Sequence, residues 1–259
     1  MIILKSDHEI QLMKTAGQAT ANLLHELERF IKPGISTMDI DRYAEQIITD
    51  YKMIPTFKGY GGFPASVCVS INHQVVHGIP SKDVILQKGD IISIDTGCTY
   101  REYVSDAART FGVGCISPQA NKLIDTAKES FFEGLRYCKV GRRIGDISQA
   151  IQTHVESQGF GVVRELGGHG LGQDLHEDPP VPNFGKPGHG PRLQKGMALA
   201  IEPMITQGDF RVTMLGDDWT IVTTDGKLAA HYENTVIITD EEPLVLTLYE
   251  EQRDRKSVV

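Results

Sequence analysis

Leu86-Gln-Lys-Gly-Asp-Ile-Ile-Ser-Ile-Asp95 and Leu193-Gln-Lys-Gly-Met-Ala-Leu-Ala-Ile-Glu202 share five residues in ten at an offset of 107 positions, 193 against 86. Each reads as a glycine turn entering an apolar strand that ends on a carboxylate. The same offset lays Gly141 over Gly34, Asp146 over Asp39 and Ile147 over Ile40, so the register survives across helix junctions as well as strands. A turn leading into a strand is a common pattern by itself, but constant register over separated elements marks an internal duplication.

Outward from this pair the chain repeats one order of elements. Ser6 and Glu9 give an S-x-x-E start, Ile10, Met13, Leu23, Leu24, Leu27, Phe30 and Ile31 recur on a helical period, and Lys32-Pro33-Gly34 stops the run. A second helix is predicted from Thr37, with Met38, Ile40, Tyr43, Ile47 and Ile48 on one side, followed by β-type runs at 66–71, 75–79 and 91–95. The order then recurs. Ser117-Pro118 opens a helix to Gly141, Asp146 opens another that stops at Gly159, and strands are predicted at 197–202 and 235–239. Two α-α-β units, neither able to cover a sheet alone, predict an α/β or α+β chain with pseudo-two-fold symmetry, a single domain over 1–259 with halves near 1–115 and 116–259.

Composition narrows the function classes. Of 259 residues, 40% are apolar and 23% charged, which excludes collagen-like, low-complexity and disordered chains. The net charge of −8 and the lack of any Lys/Arg-rich segment argue against direct nucleic-acid binding. No apolar run reaches membrane-spanning length, and the start, Met1 to Glu9, has no cationic leader pattern, so a cytoplasmic protein without membrane contact is expected. Cys68, Cys98, Cys115 and Cys138 form no C-x-x-C pair, and Cys115 and Cys138 are expected to be buried free thiols.

The chemistry starts from Asp95 and Glu202, two acids that the duplicated strands carry to one place. Buried carboxylates that converge repel, so the site requires a proton or a cation. Ile94-Asp95-Thr96-Gly97 contains the D-T-G of aspartic proteases, but the equivalent position of the other half reads Glu202-Pro203-Met204, which leaves that pairing unmade. A cation needs further ligands. Asp106 follows Asp95 across a hairpin read from Gly97 to Tyr103, and Glu233 follows Glu202 across a longer connection. His169, within Gly167-Gly168-His169-Gly170-Leu171-Gly172, adds a nitrogen. A glycine-flanked histidine alone is more often a turn residue; four converging acids reverse that reading. Four oxygen donors with one imidazole and no thiolate suit Mn²⁺, Fe²⁺, Co²⁺ or Zn²⁺.

The order Asp95, Asp106, His169, Glu202, Glu233 resembles that of the type I methionine aminopeptidases, in the pita-bread metallopeptidase family. Gly59-Tyr-Gly-Gly-Phe-Pro64, Asn72-His-Gln-Val-Val-His-Gly-Ile-Pro80, Gly168-His-Gly-Leu-Gly-Gln-Asp-Leu-His-Glu177, Ile201-Glu-Pro-Met204 and Glu233-Asn-Thr235 extend the resemblance over nearly the whole chain. It implies a pita-bread α+β fold, in which duplicated α-α-β units share a curved, mostly antiparallel sheet. It also implies two divalent metal ions, Co²⁺, Mn²⁺, Fe²⁺ or Zn²⁺, bridged by Asp106 and Glu233, with Asp95 completing one shell and His169 with Glu202 the other. A hydroxide between the ions would attack the scissile carbonyl, and Glu202 would shuttle the proton. His77 and His176 would be catalytic and hydrogen-bond the substrate. Tyr60, Phe63, Cys68, Leu175 and Trp219, with Phe57 at the rim, would form a slot for an N-terminal methionine. His73, His154, His189 and His231 are read as plain loop histidines.

The implied activity is removal of the initiator methionine from nascent peptide N-termini with a small second residue, by a monomer in the cytoplasm, with transient ribosome contact compatible with that role. The alternatives are an Xaa-Pro aminopeptidase or prolidase-like enzyme, which usually carries an additional N-terminal domain, and a catalytically inactive pita-bread binding protein, which normally lacks some of the ligands.

Overall fold

The computed structural model describes residues 1–249. The last part of the expected domain, 250–259, lies outside the described residues. Among the described residues four α-helices cover the outside. Helix α1, Asp7–Phe30, starts in a capping box in which the Ser6 side chain accepts from the Glu9 N–H and the Glu9 carboxylate accepts from the Ser6 N–H. Helix α2, Thr37–Asp50, starts on the same device built from Ser36 and Asp39. Helices α3, Pro118–Leu135, and α4, Ile144–Ser157, are their counterparts in the second half.

The duplication is written in backbone hydrogen bonds. Gly34 N–H donates to the Leu86 carbonyl at 2.9 Å and Gly141 N–H to the Leu193 carbonyl at 3.0 Å. Leu86 N–H donates to Ile35 at 2.9 Å and Leu193 N–H to Arg142 at 2.8 Å. Isolated bridges join Ser36 to Ile85 and Arg143 to Arg192. In both copies the turn glycine before the strand, Gly89 at φ +101° and Gly196 at φ +85°, holds a left-handed conformation that side chains disfavour.

Several boundaries differ from the sequence reading, among them a strand read at 91–95 that runs to Tyr100. Helix α3 stops at Leu135 rather than near Gly141, because Tyr137 and Cys138 donate to carbonyls three residues back, Gly134 and Leu135, and tighten the chain out of the α-helix. Helix α4 opens at Ile144, so Asp146 is its third residue and caps the Arg143 N–H. The run expected at 75–79 is a strand only over Gln74–Val76, since His77 turns the chain with φ +60°. Cys138 is buried as expected, but Cys115 is exposed, in the loop between the last strand of the first half and α3.

All strand pairs are antiparallel. In the first half, strand Ile91–Tyr100 pairs along its whole length with Tyr103–Gly112 through a two-residue turn in which Arg101 and Glu102 both have positive φ. Strands Val67–Ile71 and Ile54–Pro55 flank its other edge. In the second half, Ala198–Ile201 lies between Asn234–Ile237 and Gly167–Gly170, with Glu177–Pro182 and Leu244–Val245 outermost.

The two sheets meet at a seam rather than in a continuous ladder. Asp106 N–H donates to the Thr235 hydroxyl at 2.9 Å, which donates back to the Asp106 carbonyl at 2.8 Å, and Glu233 N–H donates to Ala108 at 2.9 Å. The pita-bread arrangement follows, with the helices on the outer face of one curved surface. Leu23, Leu24 and Leu27 of α1 pack with Ile92 and Ile94 of the first sheet. Leu123 and Phe131 of α3 and Ile147 and Ile151 of α4 pack with Leu199 and Ile201 of the second. Each such side chain contributes on the order of 1.5–3 kcal/mol by leaving water. Among the described residues no helix is long and apolar enough to cross a membrane.

Candidate metal centre and substrate cavity

Sheet register decides where the acids sit. Asp95 lies opposite Ala108 and Asp106 opposite Gly97, so the two acids of the first half share a face on a diagonal. Glu202 directly follows strand 198–201 and Glu233 directly precedes strand 234–237. Continuing the pairing of Ile201 with Asn234 by one residue sets these two face to face. His169 comes from the neighbouring strand, opposite Ala200. The glycines around it are required by packing: a Cβ on Gly168 would fall 2.1 Å from the Ala200 carbonyl oxygen, and one on Gly170 equally close to that of Asp178.

These side chains converge with too much negative charge for protein atoms to offset. Asp106 is 4% exposed and Glu233 2%. Burial raises the Asp95 carboxyl to about 7. Burial first, and then neighbouring carboxylates, push Asp106, Glu202 and Glu233 well above the usual carboxylate range. Asp95 Oδ1, Asp106 Oδ1 and Glu233 Oε1 are buried without a hydrogen-bond partner.

The imidazole gives a second test. His169 Nδ1 lies 2.9 Å from the Gly170 carbonyl, which can only accept, so the proton sits on Nδ1. The bare Nε2 therefore faces Asp106 Oδ2 at 3.8 Å and Glu202 Oε1 at 3.6 Å. A lone pair aimed at carboxylate oxygens is unfavourable unless a cation lies among them, and a second bond from the other ring nitrogen to a carbonyl is how metal-ligating histidines are oriented. Burial, then the neighbouring His176, lowers His169 to about 4, keeping it neutral. Two overlapping donor groups, Asp106 with His169 and Glu233 and Asp95 with His231 and Glu233, each keep their ligand atoms within 4.8 Å of one another. The residues present fit hard or borderline divalent cations.

His231 corrects the sequence reading. It is no loop histidine: it ends strand Ala229–His231, is 1% exposed, and places Nε2 3.6 Å from Glu233 Oε2 and 3.8 Å from Glu202 Oε2. The signal was available, because residue 231 stands two positions before Glu233, and alternate residues of an extended chain share a face. His154 is not in a loop either: it lies in the last turn of α4 and pairs with the exposed Glu129 on the surface.

The acids form the floor of a cavity of about 130 Å³. Phe57, Tyr60, Phe63, Cys68, Leu175 and Trp219 give it an apolar end, His77, His169 and His176 line it, and Asp95, Asp106, Glu202 and Glu233 close it. Every candidate residue from the sequence thus reaches one space. Phe63 meets Trp219 edge-on at 5.1 Å between ring centres, and the Tyr60 hydroxyl lies 2.7 Å from His176 Nδ1. Burial, followed by the Asp95 carboxylate, pushes the Cys68 thiol up, so it presents S–H and not thiolate to the slot. A separate cavity of about 190 Å³, bordered by Leu24 of α1 and Asp125 of α3, holds none of these acids.

An apolar slot that ends on buried, uncompensated acids and a neutral imidazole, at the seam of a duplicated antiparallel core, defines a metallopeptidase. The chain belongs to metallopeptidase family M24, whose model matches residues 11–240. It is 56% identical over 250 residues to the methionine aminopeptidase of Clostridium acetobutylicum, covering 96% of this chain and 100% of that protein. It is 51% identical over 240 residues to methionine aminopeptidase 1 of Bacillus subtilis, covering 93% and 96%. The crystal structure of the Thermotoga maritima methionine aminopeptidase superposes with a TM-score of 0.94 at 44% identity, covering 96% of this chain and all of that one.

Proposed function

We propose that this chain is a methionyl aminopeptidase that removes the initiator methionine from nascent polypeptides with a small second residue. The observation that carries the reading is the cavity itself, where an apolar slot with an aromatic edge and a thiol, suited to a thioether side chain, opens directly onto the four acids and His169. The relatives' names support the same substrate.

Asp95, Asp106, His169, Glu202 and Glu233 would hold two divalent ions, of Co²⁺, Mn²⁺, Fe²⁺ or Zn²⁺, with Asp106 and Glu233 the acids best placed to serve both. Bound there, such ions make water acidic enough to be a nucleophile at neutral pH and stabilise negative charge on a carbonyl oxygen. The chain's own residues do the rest. Glu202, whose carboxyl is raised by burial, takes the proton from water and returns it to the leaving amine. With Tyr60 donating to its Nδ1, neutral His176 carries its proton on Nε2 and offers it to the substrate carbonyl. Neutral His77, lowered by burial and then by His176, is held at φ +60° beside the slot and binds the substrate amide. Trp219, Phe63, Leu175, Cys68 and Tyr60 enclose the methionine and exclude water from it.

The enzyme acts as a monomeric single domain in the cytoplasm, meeting its substrate as the peptide leaves the ribosome. Hydrolysis of a Met-Ala peptide against Xaa-Pro peptides, with and without chelator, tests the reading. Chelator-sensitive cleavage of Met-Ala alone is expected; cleavage confined to Xaa-Pro would replace it with the prolidase-like alternative.

A further inference from the structure

Glu202 stands between two imidazoles, one on each of its oxygens. On the cavity side His169 Nε2 lies 3.6 Å from Glu202 Oε1; on the other, His231 Nε2 lies 3.8 Å from Glu202 Oε2. His231 also reaches Glu233 Oε2 at 3.6 Å, yet it is not among the residues that line the cavity. It is 1% exposed, and neither ring nitrogen has a hydrogen-bond partner. A buried polar ring in that state is costly unless it serves the groups it faces. Its backbone is fixed at both ends: His231 N–H donates to the Thr110 hydroxyl at 2.9 Å, and that hydroxyl donates to the His231 carbonyl at 2.9 Å. Thr110 is held in turn by Ser93, 2.8 Å away between hydroxyls. The ring is thus set against one oxygen of each of two carboxylates, on a strand that Thr110 of the other half holds in place.

We infer that His231 is a positioning residue for the metal centre, its Nε2–H serving the outer oxygens of Glu202 and Glu233 and fixing the direction in which their inner oxygens present to the cations. Removing a partner of this kind typically weakens metal binding by about 10–100-fold. The role rests on the metal-centre reading above, and it differs from ligation: His231 does not line the cavity and would act through the two carboxylates rather than as a donor to the ions.

Two measurements test it. Chelator-stripped wild type, H231L and H231Q are titrated calorimetrically with Mn²⁺, and nitrogen couplings are counted by pulsed EPR at one equivalent of Mn²⁺. Expected are a loss of affinity of about 10–100-fold in H231L, recovery to within about threefold of wild type in H231Q, whose amide restores an N–H donor, and a single nitrogen coupling, from His169, in wild type and H231Q alike. Wild-type affinity in H231L, or H231Q as weak as H231L, overturns the proposal. So does a second nitrogen coupling that H231Q lacks, which would make His231 a ligand. If metal-free H231L gives no folded circular dichroism spectrum, H231M replaces it. Wild type that binds no divalent ion would overturn the metal centre itself, an outcome distinct from all of these.

Discussion

The two halves build the same acid-bearing strand pair in different ways. In the first, strands 91–100 and 103–112 form one uninterrupted hairpin, and its acids are the short Asp95 and Asp106, set diagonally. In the second, Pro203 ends the ladder at Ile201, the partner strand begins only at Asn234, and the acids at those ends are the longer Glu202 and Glu233. An added methylene lets a carboxylate reach in from a strand end that stops short. The wider opening also gives the second half what the first lacks: both imidazoles at the acids, His169 and His231, and the connection bearing Trp219. Symmetry supplies the charge, and its breakdown supplies the imidazoles at the acids and the Trp219 side of the slot.

The largest effect expected from breaking this comparison is on catalysis. Asp106→Asn and Glu233→Gln each remove one of the acids proposed to be shared between ions, and each is expected to lower kcat/KM on a Met-Ala peptide by roughly 10³-fold or more while the circular dichroism spectrum is kept. Full activity in one of them would show that only one half carries the bridge.

Next in size is the pH dependence of the metal-free protein. Asp95 keeps its proton to about 7 when folded and loses it near 3.8 when unfolded, so the folded state binds more protons between those limits. This stabilisation is complete below pH 3.8 and is lost as pH rises to about 7, at about 1.4 kcal/mol per pH unit per group. Thermal melts in chelator from pH 5 to 8 should show wild type losing stability relative to Asp95→Asn as pH rises, and saturating Mn²⁺ should abolish the difference. A wild type that gains on Asp95→Asn with pH would reverse the sign.

The seam itself is a smaller test. Thr235→Val deletes both hydrogen bonds to the Asp106 backbone at a fully buried position and is expected to cost about 2 kcal/mol in denaturant unfolding. An unchanged midpoint would mean that the other contacts across the seam, among them Glu233 N–H to Ala108 and Thr110 with His231, hold the halves without this pair. The smallest effect is expected at the rim, where Tyr60→Phe removes the hydroxyl on His176 and should reduce kcat/KM by about 2–10-fold without changing Mn²⁺ affinity. Weakened Mn²⁺ binding there would tie the rim to the acids.

Much of this was legible in the chain because the informative features are local. The turn-strand motif ending at Asp95 and Glu202, the capping box of Ser6 and Glu9 and the hairpin before Asp106 are each fixed within about a dozen residues. What the sequence misplaced depends on long-range contacts. Cys115 was expected inside, but a small residue in a loop carries no periodic signal of its environment. His231 was read as a loop residue because the strand that holds it is three residues long and is aligned by Thr110, distant in sequence. The run at 75–79 was read too long since nothing in Val75-Val-His-Gly-Ile79 announces the left-handed turn at His77.

The arrangement of the seam has a consequence for dissection of the molecule. Each half owns two of the four acids, so a chain severed in the exposed stretch around Cys115 yields fragments that cannot separately cage a pair of cations. Under the proposed metal centre, reassociation and ion uptake would become one linked equilibrium, with a free divalent ion as the clasp and a chelator as the key that opens it.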